Sequence, residues 1–220
     1  MDKKQQILNV FNFRHACKEF DPDKKIPEED FQVVLETGRL SPSSFGFEPW
    51  KFVVLQNPEI REKLRTVSWG AQKQLPTASH FVIILARKAE DMKPYSEYLR
   101  KFMKEIQHSN PENIQKRMAR LESWQKEDFN LTTDRSIFDW AVRQSYIPLA
   151  NMMTSAAFLD IDSCPIEGFN RSQVEDILLA EKILDPDHFG VACMAAFGYR
   201  KNPPPPKTRR QMTEVAEWNY

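Results

Sequence analysis

From Ile137 to Leu159 the chain is apolar on nearly every side of a helix. Trp140, Ala141, Tyr146, Ile147, Leu149, Ala150, Met152, Met153, Ala156, Ala157, Phe158 and Leu159 cover most of the helical circumference. A helix of that kind is buried on several sides. The segment therefore predicts a central core helix, one that also packs against a partner subunit. Pro148 lies inside it and removes one ladder hydrogen bond, which predicts a kink.

The rest of the pattern supplies a sheet for that helix to cover. Phe52-Val53-Val54-Leu55, Phe81 to Leu85 and Val191 to Phe197 read as short buried strands. Lys3 to Phe13 reads as an amphipathic helix. Pro27 opens a second helix, with Gly38 as its stop. Asn57-Pro58 starts a third, through about Val67, and Ser172 to Leu179 reads as another. Leu40 to Trp50 and Gly70 to Thr77 read as loops. Asp91 to Glu127 is helical and heavily charged, with one apolar stripe of Tyr95, Leu99, Phe102, Met103 and Ile106. Its basic residues are interleaved with acids, the pattern of a solvated face. The order of elements predicts an α+β fold, a small central sheet covered by helices, in one domain over 1–220.

Charge and composition exclude several functions. The 31 Lys and Arg residues balance 31 Asp and Glu, which argues against a non-specific nucleic-acid binder. No run approaches the roughly 20 apolar residues of a membrane span. No apolar segment follows Met1-Asp2-Lys3-Lys4, so no signal peptide is expected. Three cysteines and four histidines lack the spacing of a disulfide framework or a zinc site. A cytoplasmic, reducing setting is the expectation. The six glycines form neither GxGxxG nor GxxxxGK[ST], so a Rossmann unit and a P-loop are disfavoured. Ser43 and Ser44 sit in no Gly-x-Ser-x-Gly elbow.

A bound phosphate would therefore need side-chain cations and exposed loop amides, and Arg14, Ser43, Ser44, Lys207 and Arg209 supply that set. Arg14-His15-Ala16-Cys17-Lys18 places two cations four positions apart after an apolar helix. Lys207-Thr208-Arg209 follows four prolines, Pro203 to Pro206, a stiff run that carries the chain across a surface. Alone, each stretch reads as solvated surface. Together they predict two chain ends converging on one anionic ligand.

Four stretches in this order resemble the FMN-dependent nitroreductase family, nearest its oxygen-insensitive NAD(P)H nitroreductase and dihydropteridine reductase-like branch. They are Arg14 to Lys18, Ser41-Pro42-Ser43-Ser44 running to Pro49-Trp50, Pro165-Ile166-Glu167-Gly168-Phe169, and Lys207-x-Arg209. The resemblance implies a nitroreductase-like fold with a mostly antiparallel sheet, and a C-terminal extension, 200–220, reaching a partner subunit. It implies a homodimer with two FMN sites and a ping-pong cycle. In that cycle NADH or NADPH reduces the flavin and a nitroaromatic, quinone or related small acceptor reoxidises it.

By position, the resemblance assigns Arg14, Lys207 and Arg209 to the phosphate, with His15 and Ala16 beside them. Lys18 falls near the N1/O2 edge of the ring. Pro165 and Ile166 cover one ring face, and the Glu167 and Gly168 backbone approaches N5 and O4. Ser43, Ser44 and Gly46 reach a flavin bound mainly by the other subunit. No side chain is implied as catalytic. The chain departs from the family pattern at Ala16 (commonly Ser), at Gly46 and Glu48 (usually Asn and Gln), at Ala71 (often Asn) and at Gln74 (Lys in some members). The pyrimidine side is then read by Gln74 or Gln72. Phe45, Phe47, Phe138 and Trp140 are either pocket walls or core. Cys17 and Cys164 read as small packing residues. Two other functions fit the sequence: a flavin-binding reservoir or sensor without turnover, and a helical interaction protein built on Asp91 to Glu127.

Overall fold

A computed structural model describes residues 2–220. It contains helices α1 (Lys3–Phe13), α2 (Glu28–Arg39), α3 (Pro58–Val67), α4 (Gln74–Thr77), α5 (Ala89–Met92), α6 (Glu97–Glu105), α7 (Pro111–Ser123), α8 (Asp134–Phe158) and α9 (Arg171–Ala180). Strands β1 (Trp50–Val54), β2 (His80–Arg87), β3 (Asp162–Ile166) and β4 (Phe189–Gly198) form one sheet in the order β1-β2-β4-β3. Every pairing is antiparallel. The architecture is the expected α+β.

The central strands β2 and β4 pair from His80↔Phe197 to Arg87↔Phe189, with a bulge between Ile84 and Leu85. Both are buried on two faces, which is why they read as continuous apolar runs rather than alternating ones. Val82, Ile84 and Ala86 face the core that contains Leu149, Met152 and Ala156 of α8. Phe81, Ile83 and Leu85 face a second core with Leu64 of α3 and Val174 and Leu178 of α9. Each fully buried Leu or Ile contributes about 1.5–3 kcal/mol to the fold.

The central helix begins at a capping box. The Thr133 hydroxyl accepts from the Ser136 amide at 3.1 Å, and the Ser136 hydroxyl accepts from the Thr133 amide at 3.1 Å. It runs through Pro148 as one α-helix of 25 residues. Trp140, Leu149, Met152 and Ala156 are buried along it. Trp140 and Phe47 thus belong to the core, not to a pocket wall.

The structure corrects several local expectations. Gly38 lies inside α2 rather than ending it. A Cβ there would fall 2.9 Å from Met152 and 3.1 Å from the Phe52 ring, so the glycine lets α2 pack close against α8. The charged segment 91–127 divides into separate helices, broken near Tyr95 (φ 65°) and His108 (φ 50°). Ile106 is exposed rather than part of a buried stripe. Residues 69–77 form a 3-10 turn and the short α4 instead of a loop. A fourth strand, β3, was absent from the sequence reading. Asp162, Ser163 and Pro165 are poor strand formers, but β3 is an edge strand, where a residue without an N–H is tolerated.

The edge of β3 positions the N-terminal segment. Ala16 bridges Ser163 in parallel, and the Cys17 amide donates to the Ser163 carbonyl at 3.0 Å. Phe20 bridges Arg200, the Asp21 amide donates to the Tyr199 carbonyl at 2.8 Å, and the Lys201 amide donates to the Glu19 carbonyl at 3.2 Å. Residues 14–20 therefore run beside β3 and meet the chain where it leaves β4.

Candidate functional site

The base of the site is a buried ion pair. Asp162 is 3% exposed. It accepts from the Arg200 amide at 2.8 Å and from Arg200 Nε at 3.0 Å, and Arg200 Nη2 lies 2.7 Å from its second oxygen. The same guanidinium donates to the Phe13 carbonyl at 3.2 Å and lies over the Phe13 ring. His15 Nδ1 is 3.6 Å from Asp162. Burial, and then the Arg200 charge, lower the His15 pKa, so the imidazole is neutral near pH 7. One pair thus ties the end of α1, β3 and the end of β4 together.

Above this base lies a cavity of about 540 Å³, lined by residues 15–19, Lys73 and residues 202–209. Glu19 is its only acidic lining residue. The Glu19 carboxylate accepts from Lys73 and Lys201, each at 2.8 Å, and hydrogen bonds from Lys201 and then Lys73 draw its pKa down to about 2. That acid is therefore committed. Among the described residues, Arg14, Lys18, Lys207 and Arg209 have no ion-pair partner. The Lys207 pKa is lowered by burial and then by repulsion from Arg209, Arg14 and Arg200. Cations gathered without an acid between them are prepared for an anion.

The tail meets the N-terminal segment directly, because the Lys207 ammonium donates to the Arg14 carbonyl. The Arg14 guanidinium points elsewhere, to Met153 Sδ at 3.5 Å. Arg209 donates to the Thr208 carbonyl at 2.6 Å. Lys18 and His15 line the cavity, as does Ala16.

A second cavity, about 400 Å³, is lined by Tyr146, Leu149, Ala150 and Met153 of α8 and by Pro165, Ile166, Glu167 and Cys193. The Tyr146 hydroxyl donates to the Glu167 carboxylate. Burial and then that carboxylate push the phenol pKa up, keeping it a neutral donor. Gly168 contacts Gly70 backbone to backbone. Ala71 is buried, and buried Gln74 reaches Cys164 Sγ at 3.6 Å. Gln72 is engaged by the carbonyls of Arg65 and Ser68 at 2.6 and 2.9 Å. The thiols carry no activation: burial raises all three, with Cys17 and Cys193 at about 12.

Ser43, Ser44 and Gly46 line neither cavity of the single chain. Ser43 Oγ accepts from the Glu48 amide at 2.9 Å, and the Ser44 amide donates to Gln144 Oε1 at 2.9 Å. Sequence reasoning missed Asp162, Arg200, Gly70 and Tyr146. The one signal that pointed toward Gly70 was the scarcity of glycine in the chain, which sequence reasoning did not apply to it. Among the described residues there is no cluster of His, Cys, Asp or Glu suited to a metal, and no helix is long and apolar enough to cross a membrane.

The comparisons agree with one another. A family model described as "Nitroreductase family" matches residues 12–199. Over 218 residues the chain is 54% identical to a Bacillus subtilis protein named "Putative NAD(P)H nitroreductase YfkO", covering 99% of each. Its fold is similar to that of a nitroreductase-like protein from Streptococcus mutans, with a TM-score of 0.79 and 21% identity over 99% of this chain and 100% of that one. A protein from Exiguobacterium sibiricum solved in complex with FMN has a TM-score of 0.74 and 20% identity, over 97% of each chain.

Proposed function

The chain belongs to the nitroreductase family, and from that premise we propose that it is an FMN-dependent NAD(P)H oxidoreductase. It reduces nitroaromatics, quinones or related acceptors by two electrons in a ping-pong cycle and works as a homodimer. One observation carries the reading: unpaired cations from both chain ends border a single cavity whose one acid is already engaged.

The residues fit FMN. The cavity offers Lys18, Lys207 and Arg209, with the Arg14 charge close enough to perturb Lys207. Ser163 Oγ, on the residue bridged to the cavity-lining Ala16, is buried without a hydrogen-bond partner. Lys207 and Arg209, with His15 and Ala16, would hold the phosphate through charge-assisted contacts, and Arg14 would join them by turning its guanidinium away from Met153. Pro165 and Ile166 would cover one ring face, with Ala71 and Gln74 toward the pyrimidine side. Bound FMN would supply a two-electron redox centre. Lys18 would place a fixed ammonium that favours negative charge at the N1/O2 edge, and the Glu167 and Gly168 peptides would present backbone groups to N5 and O4. Ser43, Ser44 and Gly46 would complete the site from the partner subunit.

Residues 200–220 would cross that dimer as an extension of the single domain. Val215, Trp218 and Tyr220 are exposed in the single chain, an apolar end suited to burial on a second copy.

The visible spectrum of purified protein tests the reading. A flavin spectrum bleached by NADH or NADPH and restored by a quinone or nitroaromatic is expected. Colour that neither nicotinamide bleaches would make the protein a flavin carrier without turnover. Colourless protein that leaves FMN fluorescence unquenched would overturn the reading altogether.

A further inference from the structure

The loop between α2 and β1 holds an unusual backbone. Phe45, Gly46 and Glu48 have φ of 59°, 65° and 48°. Glycine adopts such angles freely, whereas a phenylalanine does so only where its surroundings compel it. Here the restraint comes from α6 and α7. Arg117 Nη2 of α7 donates to the Phe45 carbonyl at 2.9 Å. Gln107 Nε2, just past α6, donates to the Gly46 carbonyl at 2.7 Å and to the Phe45 carbonyl at 3.3 Å. Arg117 Nη1 in turn donates to Gln107 Oε1, which orients that amide. The Tyr98 hydroxyl donates to the Phe47 carbonyl at 3.2 Å.

Arg117 is unlike its neighbours. Lys116, Arg120 and Lys126 pair with Glu112, Asp128 and Glu122. Among the described residues Arg117 has no carboxylate partner. Its guanidinium is directed to a backbone carbonyl and an amide. A half-buried cation held this way acts on the loop rather than on the surface charge pattern.

We propose that Arg117, together with Gln107, is a positioning residue. The α6–α7 excursion clamps residues 43–48 in the conformation that presents Ser43 and Ser44. This rests on the function proposed above, in which that loop serves the FMN bound mainly by the partner subunit. The clamp then makes FMN affinity at one site depend on an arginine that touches no flavin.

Two measurements on the full-length protein test it: amide hydrogen exchange of residues 43–48, and the FMN dissociation constant as a function of salt. Arg117→Ala is expected to speed exchange across 43–48 and to raise the FMN dissociation constant about tenfold, the loss expected when a loop is no longer preorganised. Because Arg117 makes no phosphate contact, the salt dependence of binding keeps its wild-type slope, whereas Lys207→Ala flattens it. Arg117→Lys keeps one donor for the Phe45 carbonyl and should fall between. Gln107→Ala provides a second variant, with the same expectation, if Arg117→Ala fails to fold. Unchanged loop exchange and unchanged FMN affinity in a folded variant overturn the clamp. If wild-type protein binds no FMN, the functional reading falls, and the exchange of 43–48 still decides whether the clamp exists.

Discussion

The Gly70 amide donates to the Gly168 carbonyl at 2.7 Å, and the two backbones touch with no room for a side chain on either. A Cβ on Gly70 would lie 2.8 Å from Gly168 Cα, and one on Gly168 would lie 2.7 Å from Gly70 Cα. This contact fastens the turn after α3 to the turn after β3. The proposed N5 and O4 contacts lie on that second turn.

Gly70→Ala and Gly168→Ala should each force the two turns apart. Overpacking of this kind costs about 1–3 kcal/mol of stability, and FMN binding should weaken in both variants. Denaturant midpoints and FMN fluorescence titrations check this. A variant as stable as wild type with full FMN affinity would show that the backbones can separate at no cost.

Asp162 neutralises Arg200 at the base of the cavity. Asp162→Ala leaves the guanidinium largely buried and unpaired, and removing one member of such a pair costs about 3–5 kcal/mol. The midpoint of urea unfolding should fall without a change in slope. A loss under about 1 kcal/mol would mean that water reaches Arg200 and replaces the carboxylate.

Lys207→Ala combined with Arg209→Ala should weaken FMN binding by about 3 kcal/mol, roughly a hundredfold, on the scale of two charge-assisted contacts. Equilibrium titration by flavin fluorescence measures it. Unaltered affinity in the double variant would remove the tail from the site.

His80 stacks on Phe31 with ring centroids 3.9 Å apart, and its Nδ1 is 3.1 Å from Ser79 Oγ. Burial, then the charges of Arg61 and Lys25, lower its pKa from 6.5 to about 4. The unfolded chain therefore binds a proton that the folded chain refuses between those values. The contribution of this neutral imidazole to stability is complete above pH 6.5 and declines as pH falls toward 4. Thermal unfolding across that range should show the decline, and His80→Gln should flatten it. The same slope in the variant would assign the pH dependence to other groups.

Elements with strong periodicity were legible in advance. The all-round apolar segment became α8, and the runs Phe81 to Leu85 and Val191 to Phe197 became the centres of β2 and β4. β3 was not legible, because its strand character comes from pairing with β4 from Asp162↔Gly198 to Ile166↔Met194 rather than from its own residues. The breaks that divide 91–127 were hidden for a related reason. Tyr95 takes positive φ with its amide directed to Met118 Sδ of α7, a contact its own residue type does not announce, and His108 takes positive φ where the Ser109 amide closes the end of α6 on the Met103 carbonyl.

The sequence by itself determined that the long helix and the central strands lie in the core, though Ile147, Ala150 and Phe158 of that helix are exposed in the single chain, and that no acid stands between Arg14 and Lys18 or between Lys207 and Arg209. Only the tertiary structure decided that Asp162 would meet Arg200, that Lys207 would reach the Arg14 carbonyl, and that Arg117 would leave the solvated face to hold Phe45. Hydrophobic period reports the direction in which a side chain points. It carries no record of the distant segment that will lie opposite, and the partners of a buried charge or a strained peptide are chosen there.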